Sequence, residues 1–93
     1  MAEIQAGVYR HYKGLDYQVF EVARHSETEE VLVSYRCLYG DYGWWVRPFE
    51  MFCETVVVEG VERPRFEYVK AFDPSDYEEA PSLQALVASR GQA

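Results

Sequence analysis

The sequence predicts an all-β domain, a small antiparallel barrel with a short C-terminal tail, on three observations. Short runs of aromatic and β-branched residues recur along residues 7–69, and several of them alternate apolar and polar positions. Turn sequences separate them, as at Gly14-Leu15-Asp16 and across residues 39–43. Nowhere in that region do strands alternate with helix-length periodic segments, so a parallel α/β arrangement is not expected.

Residues 1–6 are a loose lead-in. Residues 7–12 set Val8, Arg10 and Tyr12 against Tyr9 and His11, which suits a short strand, and residues 17–23 (YQVFEVA) return as its hairpin partner. Residues 24–30 (RHSETEE) break the apolar pattern and form a polar loop, the kind of segment in which binding residues concentrate. Residues 31–38 alternate clearly, with Val31, Val33, Tyr35 and Cys37 on the expected core face.

Gly40 and Gly43 bracket a turn, after which residues 44–49 return as the next strand. Pro48 has no N–H for a ladder, so that strand ends or lies at an edge there, and residues 49–52 close into one helical turn. Residues 55–58 (TVVV) form a strand, residues 59–62 its turn, and residues 65–69 the last strand, giving five or six in all. The expected core is Val19, Val33, Tyr35, Val46, Met51, Phe52 and Phe66. From Asp73 the composition turns acidic and proline-containing, so the chain divides into a barrel over residues 1–72 and a tail over residues 73–93. In the tail Leu83, Leu86 and Val87 have the spacing of a short helix over residues 82–89, marginal without a partner surface.

Composition narrows the function. A chain of 93 residues is one domain with a small core, so each large side chain in it counts. The net charge of −7 opposes general nucleic-acid binding, because lysines and arginines on phosphate supply most of that affinity. Cys37 and Cys53 lie outside any CxxC spacing and no histidine pair has zinc spacing, so neither a metal nor another cofactor is expected. The opening MAEIQAGVYR has no basic-then-apolar leader pattern, and no apolar run reaches the roughly 18 residues that span a bilayer. The expected setting is a reduced cytoplasm, away from membranes.

Five ordered motifs stand out: GxYRHYKG from Gly7, ARHSET from Ala23, VxYRxLYGD from Val33, WVRP from Trp45 followed by Met51-Phe52, and Arg65-Phe66. Together they resemble a bacterial family catalogued as domain of unknown function 1653, over roughly residues 7–69. The resemblance implies an SH3-like small barrel and carries no assigned activity. The tail from Asp73 lies outside it.

The motifs concentrate basic and aromatic residues in an acidic chain, and these are the candidate ligand-binding residues: Arg10, His11, Lys13, Arg24, His25, Glu27, Thr28, Arg36, Tyr39, Trp45 and Arg47. Two roles are open to the arginines. They pair with Glu27, Asp41, Glu50 or Glu54, or they converge on a shared site for an anion, since guanidinium forks suit carboxylate and phosphate. Trp44 and Trp45 are neighbours on a strand and point to opposite faces, so one belongs to the core and the other can be a stacking platform. No catalytic residue set emerges: His25-Ser26-Glu27 has the H-x-E look of a zinc deaminase without its downstream P-C-x-x-C, and no G-x-S-x-G elbow is present. The reading is a small non-catalytic binding module for an anionic, peptide or protein ligand. Its rivals are a small hydrolase or transferase using His25 with Glu27, and a structural adaptor for a larger protein.

Overall fold

A computed structural model describes residues 4–82. Seven strands form: β1 (Gly7–His11), β2 (Asp16–Arg24), β3 (Val31–Cys37), β4 (Trp44–Pro48), β5 (Thr55–Val58), β6 (Val61–Pro64) and β7 (Phe66–Lys70). A single helical turn, α1 (Phe49–Phe52), follows β4, and a 3-10 turn spans Pro74–Asp76. Five strands make one antiparallel sheet in the order β4-β3-β2-β1-β7, and β5 pairs with β6 as a separate hairpin. No helix among the described residues is long and apolar enough to cross a membrane.

The all-β expectation holds, but the barrel is not closed. β4 and β7 are the two edges of the sheet and share no ladder. Pro48 ends β4 without an N–H to offer, and the chain turns into α1 instead of running on to meet β7. Side chains bridge the gap: the Phe52 ring of α1 stacks on Phe66 of β7 with centroids 4.3 Å apart and planes 4° from parallel. The strand missed by sequence is β6. Glu59 and Gly60 both have positive φ (52° and 79°), a tight two-residue hairpin turn, so pairing begins at Val61 where the sequence suggested turn. All four β6 residues are exposed, which removes the alternation that betrays a half-buried strand.

Cross-strand register sorts the sheet into two faces. Tyr9 lies opposite Tyr17 and Tyr68, Tyr17 opposite Cys37, Val19 opposite Tyr35, Val33 opposite Arg47, and His11 opposite Phe66. This first face carries the core of Tyr9, Val19, Val33, Tyr35, Phe52 and Phe66. A bulge in β2 after Val19 inserts Phe20, and the shifted register brings Val22 back to the core face opposite Val33. Two expected core residues are outside: Val46 is 62% exposed on the uncovered side of edge strand β4, and Met51 is 46% exposed on the outer side of α1 while Phe52 turns inward. Val8, Tyr9 and Leu38 are buried instead.

The second face carries Val8, Arg10, Gln18, Arg36 and Trp44, and the chain after β7 returns across it. Arg36 Nη1 donates to the Pro81 carbonyl at 2.7 Å, and Lys70 pairs with Asp76 at 2.9 Å. The helix expected over residues 82–89 lies, past its first residue, outside the described residues.

Replacing Phe52 or Phe66 with Ala should cost about 3–5 kcal/mol in chemical denaturation, since each removes half of the contact that joins the sheet's edges. Val46→Ala should stay within about 0.5 kcal/mol of the parent. A chain ending at Phe72 is expected to unfold cooperatively at a lower midpoint, because the core lies wholly in residues 4–66. Loss of cooperative unfolding in that chain would show that the returning segment is part of the core.

Candidate aromatic and basic groove

The first face is longer than its core. At the end near residues 38–43 it opens into a groove of about 430 Å³ lined by Tyr17, Tyr35, Tyr39, Asp41, Trp45 and Arg47. Tyr17 and Tyr35 come from β2 and β3, Trp45 and Arg47 from β4, and Tyr39 and Asp41 from the β3–β4 turn. The Tyr17 and Tyr39 hydroxyls are hydrogen-bonded at 2.7 Å with their rings edge-to-face, and this bond, with burial second, pushes the Tyr39 phenol above its ordinary pKa. Gly43 matters to the shape: a Cβ there would sit 3.1 Å from Asp41 Oδ1 and 3.4 Å from Trp45 Nε1. Asp41 holds the turn by accepting the Gly43 N–H at 3.0 Å.

Trp45 is 59% exposed, a large indole left on the groove's surface, while Trp44 faces the other way against Phe20. The Arg47 guanidinium lies 5.4 Å over the Phe66 ring, and its Nε is buried with no hydrogen-bond partner. Among the described residues Arg47 has no ion pair; those present join Arg10 to Asp16, Arg24 to Glu29, Arg65 to Glu54 and Lys70 to Asp76. A desolvated donor without an acceptor is costly, so Arg47 is the groove's unsatisfied group.

The sequence-predicted residues divide among three places. His11, Tyr39, Trp45 and Arg47 share the first face, with Lys13 just past His11, its ammonium 5.9 Å from the Tyr12 ring. Arg10 and Arg36 lie on the opposite face, Arg10 paired with Asp16 at 2.8 Å. Arg24 ends β2, and His25, Glu27 and Thr28 occupy the β2–β3 loop beside it, where an open polar hollow is lined by Arg24, His25, Ser26, Glu27 and Glu29. One convergent basic site is therefore not what the fold builds, because period-two alternation sends Arg10 and Arg36 away from His11 and Arg47. Nor do the anticipated ion-pair partners of the arginines hold: Asp16 and Glu29 pair with Arg10 and Arg24, and Glu54 serves Arg65.

His25 is built into its loop. Its Nδ1 accepts the backbone N–H groups of Glu27 and Thr28 at 3.1 and 3.3 Å, while Thr28 Oγ1 accepts the Glu30 N–H. Those bonds fix a turn whose Glu29 sits at φ 61°. Both Cys37 and Cys53 are free thiols, Cys37 buried on the first face. Among the described residues no three His, Cys, Asp or Glu side chains gather as a metal-ligand set. Tyr17 was missed as a groove residue, although its place opposite Cys37 follows from extending the two hairpin alternations across β2.

A family model described as a protein of unknown function, DUF1653, matches residues 7–68. The chain belongs to the DUF1653 family. A crystal structure of a DUF1653 protein from Bordetella bronchiseptica is similar at 41% identity, covering 80% of this chain and 97% of that one with a TM-score of 0.70. No curated protein matches the chain. Every residue of the groove lies inside the DUF1653 match, whereas the segment returning over the second face lies beyond it.

His11 lies on the same face and feels Arg47 among other cations. Burial first, then the cations Arg65, Lys13 and Arg47, hold its imidazole below the ordinary 6.5. A depressed folded-state value means the folded protein resists the proton, so the stability His11 contributes is present above pH 6.5 and is lost as pH falls through the folded value. An NMR titration should find His11 midway protonated below 6.5, moving upward in Arg47→Ala. A His11 midpoint unmoved by that substitution would separate it from the groove's field.

Proposed function

We propose that this DUF1653 protein is a small, non-catalytic binding module of the bacterial cytoplasm, and that its groove takes an acidic peptide segment. The observation that carries the reading is Arg47: a guanidinium in a groove wall, with a buried Nε lacking an acceptor and, among the described residues, no ion pair. A ligand carboxylate would pair with that guanidinium, and charge-assisted hydrogen bonds of this kind are the strong ones. Trp45 and the Tyr17–Tyr39 pair offer flat apolar area beside it, the chemistry with which proteins hold extended chain segments. The groove is open to solvent, which suits a chain segment better than an enclosed small molecule. An acidic protein with few clustered cations favours a peptide over nucleic acid. Two free thiols agree with a reducing compartment.

The hydrolase or transferase reading finds less support, since His25 Nδ1 is occupied by two backbone amides and lies across the fold from the aromatic groove. The adaptor reading shares Trp45 with the proposal and differs in needing no anionic group on the partner.

A fluorescence titration in a Trp44→Phe background, with Trp45 as reporter, separates these. Among acidic peptides, neutral peptides, nucleotides and short oligonucleotides, acidic peptides should bind, more weakly as salt rises. Arg47→Ala should lower that affinity roughly ten- to a hundredfold, the worth of hydrogen bonds to a charged group. Arg24→Ala should leave it unchanged. Equal binding of neutral and acidic peptides would replace this reading with the adaptor.

A further inference from the structure

We propose that the second face of the sheet carries a separate site for a small monocarboxylate with a compact apolar body, recognised by Arg36. This site shares no residue with the groove and does not depend on its ligand.

Arg36 lies in β3 opposite Gln18 of β2 and is 1% exposed. Its Nε donates to Gln18 Oε1 at 2.9 Å and its Nη1 to the Pro81 carbonyl at 2.7 Å. A guanidinium has five N–H donors, and these two bonds engage two of them. Both acceptors are neutral. Among the described residues Arg36 has no ion pair, an expensive arrangement for a buried cation, and the Phe72 ring 5.6 Å from the guanidinium carbon offsets only part of the cost. Burial accordingly lowers the Arg36 pKa.

Over this cation lies a cavity of about 350 Å³, with Gln18 and Arg36 as its floor and Phe72, Pro74, Tyr77 and Pro81 as walls. The Phe72 and Tyr77 rings are parallel within 9° with centroids 5.6 Å apart, so the walls present flat apolar surface. The volume falls at the low end of small-ligand sites, which run about 300–1,000 Å³. That fits a single ring or short branched chain. The floor selects the head group: a carboxylate meets the guanidinium fork in the bidentate geometry it favours. Exposed Glu78 at the rim opposes a second negative charge, so a monocarboxylate is preferred over a dicarboxylate.

Benzoate, with benzamide as its neutral isostere, is the probe, titrated into the isotopically labelled full chain and followed residue by residue by NMR. Benzoate should give saturable shifts at Gln18, Arg36, Phe72 and Tyr77, and benzamide should bind at least about tenfold more weakly. Glu78→Gln should tighten benzoate about twofold by removing the rim charge. Arg36→Lys should weaken it about tenfold, since an ammonium cannot reproduce the fork. If that variant fails to fold, the benzamide comparison and Glu78→Gln still decide, because both leave Arg36 in place. Equal affinity for benzoate and benzamide, shifts confined to Trp45 and Arg47, or no saturable shift at all would each overturn the proposal.

Discussion

The stack of Phe52 on Phe66 is the contact on which the rest of the structure depends. An open five-stranded sheet with unpaired edges has nothing to hold its curvature unless side chains tie those edges together. Pro48 makes the tie possible by stopping β4, and the single turn of α1 carries Phe52 across to β7. Tyr9 and Tyr35 then pack against Phe52, Tyr35 also against Phe66, and the core is complete with few large residues. In a chain this short a missing ring has no neighbour able to substitute for it.

Phe66 also joins core to groove. One side of its ring receives Phe52, and its edges and remaining surface meet Tyr17, His11 and the Arg47 guanidinium. The cation is thus held by a π-face in place of a carboxylate, which positions it while its Nε stays without an acceptor. An ion pair would have satisfied Arg47 and closed the groove to anions. The same device recurs on the second face, where Phe72 lies against Arg36. Both faces of an acidic protein therefore present an arginine supported by a ring and, among the described residues, without an ion pair.

Much of the fold is legible in the sequence where one side of a strand is buried. Residues 31–37 alternate cleanly because one face of β3 meets the core, and Val33 and Tyr35 are found there. Legibility fails at β6, which buries nothing, and at Val46, whose edge position leaves one side of the strand uncovered. Barrel closure was misread because strand count and spacing do not reveal which edges pair. For the groove, Tyr39, Trp45 and Arg47 are visible as motif residues, but Tyr17 requires the register between hairpins. Arg10 and Arg36 looked like companions of Arg47 because sequence lists charges without saying which face they occupy. His25 looked like a base, and only the loop's backbone shows it as an acceptor for two amides.

We propose that Arg47 takes a ligand's acidic group, and a crystal structure of the chain bound to its tightest acidic peptide is the direct test. The peptide should lie along Trp45 and Tyr39 with a carboxylate oxygen within hydrogen-bond distance, about 2.7–2.9 Å, of the Arg47 guanidinium. A peptide seated on the residue 24–30 loop, or one lying in the groove with Arg47 still lacking an acceptor, would contradict it.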